Sequence, residues 1–341
     1  MGLKDIGEFG FIDRISPQCC ISRQRVYKAI GDDAAAFWSD PGTLTLLTTD
    51  LLLERIHFQR SAGSGFDLGY KALAVNLSDI AAMGGEAREA FVSIAIPEDC
   101  PLDYLEALYE GMRHLAAEFG VNILGGDTTA SQQDLVINIA LTGSVPETEI
   151  LCRDGARPGD WIGSTGCLGD SRAGLHLLLQ EIPRDTPELA ALYQRHLRPR
   201  PHLHEGRLLA RHGGVSAAID VSDGLSSDLQ HLLVASRTGA RLQASRLPVS
   251  SELEAFGRRF GQDPLEFALS GGEDYTLLFT LRPEQAQSLQ KAYQQAFGSS
   301  FSILGEITDS GKLELESDSG TRLLRASGWN HFQSQHHTGS H

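Results

Sequence analysis

Thr43-Leu44-Thr45-Leu46-Leu47-Thr48-Thr49-Asp50 is a short apolar run that closes on two threonines and an aspartate. The later stretch Tyr70 to Met83, which holds Ala72-Leu73-Ala74-Val75-Asn76-Leu77-Ser78-Asp79, has the spacing of a helix. Strand followed by helix is the unit of an α/β chain, and the pattern repeats. Phe91 to Ile96, Leu135 to Leu141 and Ala217 to Ile219 read as further strands. Leu102 to Phe119, Ser171 to Leu179, His202 to His212, Leu225 to Ser236 and Pro283 to Phe297 read as helices. The expected fold class is therefore α/β (α+β).

At 341 residues the chain exceeds what one core usually sustains, so two domains of similar size are expected. The break is placed between Pro146 and Gly159, where one strand closes on Val145-Pro146 and Arg157-Pro158-Gly159-Asp160 opens another. This divides the chain into residues 1–147, 148–333 and a tail, 334–341. The tail's histidines read as a solvated terminus.

The sequence holds 29 Lys and Arg against 44 Asp and Glu, a formal charge of -15. That is the wrong sign for neutralising a nucleic-acid backbone or sitting on an anionic membrane. A protein so acidic needs metal cations to handle polyanionic ligands. No apolar run approaches the roughly 20 residues that span a bilayer, and the N-terminus lacks a signal-peptide layout. A cytoplasmic protein is expected. Five cysteines, with only Cys19-Cys20 adjacent and no CxxC, suggest neither a disulfide framework nor a zinc site.

Acids recur where apolar runs end: Gly31-Asp32-Asp33, Thr48-Thr49-Asp50, Gly125-Gly126-Asp127 and Asp220-Val221-Ser222-Asp223. In open α/β sheets the ligand crevice lies beyond the carboxyl ends of strands, so acids placed there can converge. Hard cations relieve the repulsion, and magnesium is typically held by a few carboxylates plus substrate phosphates. The competing reading is that each Asp caps a helix or forms an Asx turn. Asp79 lies inside the helical stretch, where a buried carboxylate is costly unless paired or metal-bound; an exposed Asp79 stays open. Glycines in Gly125-Gly126, Gly163-Ser164-Thr165-Gly166 and Gly271-Gly272 allow close approach of backbone to a phosphate. No GxxxxGK[ST] loop, no GxGxxG after a strand, no GxSxG and no HExxH is present.

These motifs together resemble those of thiamine-monophosphate kinases. The resemblance rests on Gly31 to Ala35, Thr48-Thr49-Asp50, Tyr70 to Gly84, Gly125 to Thr129, Asp220 to Leu225, Ser270 to Tyr275 and Gly328 to Phe332. It extends from about Gly7 to Phe332. The wider superfamily, with aminoimidazole ribonucleotide synthetase, selenophosphate synthetase and a hydrogenase maturation factor, shares the acidic motifs more loosely. The resemblance implies an N-terminal domain that dimerises through its sheet into a barrel, a C-terminal α/β domain, and ATP with its metals in the cleft between them. Carried over by position, Asp33, Thr48, Thr49, Asp50, Asp79, Asp127, Asp220 and Asp223 would be magnesium ligands. Gly126, Asp127, Arg153 and Ser222 would contact ATP, and His57, Glu273 and Trp329 the thiamine phosphate. Tyr109 is a further candidate for the adenine or ribose, or a half-buried helix residue.

The reaction so implied is ATP plus thiamine monophosphate giving ADP plus thiamine diphosphate, without a general base, in a homodimer. Two alternatives stay open: an ATP-dependent synthetase of the same superfamily, and a silent nucleotide- or metal-binding regulatory subunit.

Overall fold

The protein's structure, a computed structural model, describes residues 26–29, 31–326 and 328. Trp329, the rest of the closing motif after Gly328, Cys19-Cys20 and the tail lie outside the described residues. Two mixed sheets, each covered by helices, make up the fold, as the α/β (α+β) expectation required.

The first sheet holds β1 (Val26–Lys28), β2 (Ala35–Asp40), β3 (Thr43–Leu53), β4 (Glu86–Pro97), β5 (Asn122–Ser131) and β6 (Val136–Pro146), in the order β1-β2-β3-β6-β4-β5. Pairing is antiparallel except between β4 and β5, which run parallel across the helix α2 (Leu102–Phe119). β3 and β6 pair along their full length, from Thr43 opposite Pro146 to Leu53 opposite Val136. Burial alternates along β3, so Leu44, Leu46, Thr48 and Leu52 face the core while Leu47, Thr49 and Leu51 face out. That register puts Asp50 on the same face as Thr48.

α1 (Gly65–Ala82) lies across the inner face, opened by a capping box between Ser64 and Asp67. Its small residues serve close packing against α2. A Cβ on Gly69 would stand 1.8 Å from the Leu108 carbonyl oxygen, and one on Gly111 2.0 Å from that of Phe66. The two helices thus meet backbone to backbone. Leu73, Leu77 and Ile80 of α1 are fully buried, each worth about 1.5–3 kcal/mol relative to exposure. Among the described residues no helix covers the opposite face of the sheet, and Leu51 (56% exposed), Leu124 (60%) and Phe91 (42%) lie open on it or at its β5 edge.

The second sheet holds β7 (Trp161–Ser164), β8 (Val215–Asp220), β9 (Gly239–Gln243), β10 (Leu277–Leu281), β11 (Ser302–Thr308), β12 (Leu313–Ser317) and β13 (Gly320–Leu323), in the order β13-β12-β9-β11-β7-β10-β8. Around it pack α3 (Asp170–Leu179), α4 (Pro187–Leu197), α5 (Leu203–His212), α6 (Leu225–Ser236), α7 (Ser251–Phe260), α8 (Pro264–Ser270) and α9 (Pro283–Phe297). The halves are not independent. Leu203 and Leu209 of α5, Leu277 and Phe279 of β10 and Leu289 of α9 belong to the same apolar core as α1. Gly206 of α5 lies so close to α1 that a Cβ there would stand 2.2 Å from the Ala81 carbonyl oxygen.

The strand-end placement of the acids needs correction. Asp220 is the last residue of β8, as expected, but Asp50 and Asp127 sit inside strands that continue to Leu53 and Ser131. The reason is chain continuity: Leu51-Leu52-Leu53 keeps the period-two alternation, and nothing after Asp127 breaks the pairing with β4 until Pro97 meets Ser131.

Candidate functional site

Two elements from distant parts of the chain build the site. The last turns of α1 present Ser78 and Asp79, and β8 ends beside them on Asp220. Gly31-Asp32-Asp33, just ahead of β2, supplies a third carboxylate. Oxygens of Asp33, Asp79 and Asp220 all lie within 4.8 Å of one another. Asp79 therefore faces inward, toward the acids and not toward bulk solvent.

Neutral hydroxyls support the acids. Thr48 donates to Asp79 Oδ2, and Ser78 donates to Asp220 Oδ2 at 2.6 Å. Asp50, one position beyond the outward-facing Thr49, has a buried Oδ2 with no hydrogen-bond partner. Burial pushes the Asp50 carboxyl up to about 6. Asp79 is driven well above the usual carboxylate range by burial first, then by the charges of Asp50, Asp220 and Asp33. Asp220 is raised by burial and by Asp33.

The cationic side chain bonded within this group is Arg153, in the connection from β6 to β7. Its Nε and Nη2 donate to Asp33 Oδ2 and Oδ1 at 3.1 and 2.9 Å, a bidentate fork. Four carboxylates against one guanidinium leave a deficit of positive charge. The donors are all oxygen, without thiol or imidazole, and one buried oxygen is unsatisfied. Asp33, Asp50, Asp79 and Asp220 thus fit a hard divalent cation. A second acidic group, Asp32 with Cys152 and Asp154, differs because Lys28 pairs with both Asp32 and Asp154. Burial and Asp33 push Asp32 up to about 7, and burial pushes the Cys152 thiol to about 12; no cation is called for there.

The loop after β8 carries Ser222 and Asp223. It is anchored by Asp228 of α6, whose Oδ2 accepts from the Asp223 and Gly224 amides at 3.1 and 2.9 Å. Asp228 was missed by sequence reasoning, although an Asp in the first turn of a predicted helix behind Asp220 and Asp223 was the available signal. Ser222 accepts, through its carbonyl, the Glu273 amide at 2.7 Å.

Glu273 borders this region with a left-handed backbone, φ 63°. Its Oε1 lies 2.7 Å from Lys71 Nζ and its Oε2 3.4 Å from His196 Nδ1. Burial alone would raise this carboxyl, but the Lys71 ammonium, the largest opposing influence, holds it below the usual range. His57 Nδ1 accepts the Leu53 amide at 3.0 Å, which leaves the ring proton on Nε2.

Other candidates lie elsewhere. Thr49 Oγ1 accepts from Asn138 Nδ2 at 2.9 Å on the uncovered face, and Asp127, paired in register with Ser93, is exposed. Neither is brought to the Asp33, Asp79 and Asp220 group within this chain. Gly126 has φ 146°, and a Cβ there would stand 1.7 Å from the Val92 carbonyl oxygen. Its glycine identity is dictated by the contact with β4. Tyr109 lies half-buried on α2 against the first core.

The chain matches the AIR synthase related protein N-terminal domain over residues 31–145 and the corresponding C-terminal domain over residues 157–318. It is 41% identical over 283 residues to a thiamine-monophosphate kinase of Aquifex aeolicus, covering 82% of this chain and 87% of that one. The identity to the enzyme of Bacillus subtilis is 35% over 330 residues, covering 96% and 99%. A solved structure described as "AaThiL complexed with AMPPCP and TMP" superposes with a TM-score of 0.86 at 35% identity, over 97% of this chain and 99% of that one. With both domain families matched in order and relatives of this similarity aligned over most of its length, the chain belongs to the thiamine-monophosphate kinase family of AIR synthase related proteins.

Proposed function

We propose that this protein transfers the γ-phosphoryl group of ATP to thiamine monophosphate, giving ADP and thiamine diphosphate in thiamine diphosphate biosynthesis, with magnesium ions held by its acids. The observation that carries this reading is the convergence of Asp33, Asp79 and Asp220, from both halves of the chain, beside the unsatisfied oxygen of Asp50. Bound magnesium supplies the positive charge that screens two anionic phosphates and stabilises a loose phosphoryl-transfer transition state. The chain's own groups hold and orient. Thr48 and Ser78 fix the directions of Asp79 and Asp220. Arg153, now on Asp33, is a candidate ATP contact with Gly126, Asp127 and Ser222, and Tyr109 is a candidate for the adenine or ribose. His57, Glu273 and Trp329 are assigned to the thiamine phosphate.

No base is required, because a phosphate monoester has its second pKa at about 6 and is mostly dianionic at neutral pH. Asp223 at the loop after β8, and Thr49 and Asp127 on the uncovered sheet face, complete the proposed ligand set. Exposed Leu51 and Phe91 share that face, and β5 is the edge strand beside it among the described residues. These features support a homodimer formed through the first sheet, where Thr49 and Asp127 would meet the partner. The division into residues 1–147 and 148–333 is supported by the membership of the two sheets. A cytoplasmic site of action is consistent with the absence, among the described residues, of any helix long and apolar enough to cross a membrane.

The test is incubation with ATP, magnesium and thiamine monophosphate, with products resolved by chromatography. Equal amounts of ADP and thiamine diphosphate are expected; release of inorganic phosphate without a diphosphate product would indicate a synthetase.

A further inference from the structure

Lys71 is 3% exposed. Burying an ammonium is costly unless it is paired, and its ion-pair partner is Glu273, 202 positions away in sequence by subtraction of the two residue numbers. Eight residues separate Lys71 from Asp79 on α1, about two turns at 3.6 residues each, so both project from the same side of the helix. One rigid element therefore addresses the acids with one end and Glu273 with the other.

The backbone around Glu273 does not need Lys71 to hold it. The Glu273 amide is bonded to the Ser222 carbonyl, and the Tyr275 amide donates to Val221 O at 2.9 Å. The Asp274 carboxylate takes the Gly169 and Ser171 amides at 2.6 and 3.1 Å. These bonds retain left-handed backbone at both Glu273 and Tyr275, neither of them glycine. The Glu273 side chain takes no part in these backbone bonds, and among the described residues Lys71 from α1, His196 from α4 and His57 from the turn after β3 face it. His196 is buried and bonded to Ser171 Oγ at 3.0 Å; burial, then Lys71, pushes it down to about 3, so it is neutral. The Glu273 side chain keeps 28% of its surface accessible.

We propose that Lys71 is a positioning residue for the acceptor: its buried ammonium fixes Glu273 as an oriented carboxylate that recognises an N–H donor or positive charge on the incoming phosphate ester. This rests on the assignment of Glu273 to the acceptor site. Lys71 acts through Glu273 and does not touch the acceptor itself.

The experiment compares Lys71→Met, Lys71→Arg, Glu273→Gln and the double variant Lys71→Met/Glu273→Gln in the full chain. KM is measured separately for thiamine monophosphate and for ATP. Loss of an oriented charge-assisted contact should raise the KM for thiamine monophosphate about tenfold or more in Lys71→Met and in Glu273→Gln, with the KM for ATP within about twofold. The double variant should be no worse than either single, and Lys71→Arg should recover most of the loss. The double variant leaves no unpaired buried charge, so its comparison with Lys71→Arg and Glu273→Gln decides the matter even where Lys71→Met does not fold. Additive losses, or equal losses for both substrates, would overturn the positioning role. An unchanged KM in Glu273→Gln would instead overturn the assignment of Glu273 to the acceptor, and the proposal with it.

Discussion

Ser78 donates its hydroxyl hydrogen to Asp220 Oδ2 at 2.6 Å across 142 positions of sequence. This contact joins the helix covering the first sheet to the last residue of an edge strand of the second. It stands where burial and a neighbouring carboxylate both act against the charge on Asp220, so the hydroxyl is one of few groups favouring ionised Asp220. Ser78→Ala removes a bond worth about 1–3 kcal/mol to a charged partner. Turnover is expected to fall about tenfold at fixed magnesium, with a higher magnesium concentration for half-maximal rate. A magnesium titration of initial rates checks both.

Asp50 separates stability from function. Its buried, unbonded Oδ2 destabilises the metal-free protein through desolvation and repulsion of Asp79. Asp50→Asn should therefore raise the melting temperature in EDTA by about 2–4 °C, the shift for ~1 kcal/mol in a domain of this size. The same variant should lose most of the magnesium-dependent gain in melting temperature and nearly all turnover. Thermal unfolding with and without magnesium reads the first two effects.

The acids also set a pH dependence. Asp50 has a folded value of about 6 against about 3.9 unfolded. A raised carboxyl contributes stability below the unfolded value and loses it as pH rises through the folded value. Asp79 and Asp220 shift in the same direction. The metal-free protein should accordingly lose stability from about pH 4 upward through about pH 6 as these groups ionise. Magnesium binds the ionised form, so its stabilising increment should be larger at about pH 8 than at about pH 5. Melting curves at the two pH values, each with and without magnesium, measure the difference.

Much of this was legible in the sequence, and the boundary of legibility is physical. Helices 102–119 and 283–297 have the expected ends because strong signals flank them: Gly120 and Gly298 are left-handed C-caps, and Pro283 opens a helix. The recurring acids pointed to Asp33 and Asp220, whereas Asp79 entered the expected ligand set only through the family resemblance, because helical spacing left its exposure open. Which face each acid occupies was less accessible, because it depends on register. Thr48, Thr49 and Asp50 are consecutive, yet a strand sends Thr49 to the opposite face. Gly126 also meets the Val92 carbonyl so closely that a Cβ would not fit, a packing demand that the sequence did not show. Lys71 carried no signal alone, since its partner comes from a distant loop.

The uncovered face of the first sheet tests the assembly. Leu51 and Phe91 are 56% and 42% exposed there, beside β5, the edge strand among the described residues. Phe91→Glu should convert a dimer to a monomer by sedimentation velocity and lower turnover, while leaving monomer folding intact because its side chain packs on no inner core. A wild-type protein that sediments as a monomer would remove the partner-facing role proposed for Thr49 and Asp127.

The central claim is that carboxylates from both halves of the chain gather around shared divalent cations. Anomalous diffraction from crystals grown with manganese and a non-hydrolysable ATP analogue tests it most directly. The account predicts peaks within about 2.0–2.3 Å of carboxylate oxygens of Asp79, Asp220 and Asp50. Peaks confined to other surfaces, with those oxygens free of metal, would contradict it.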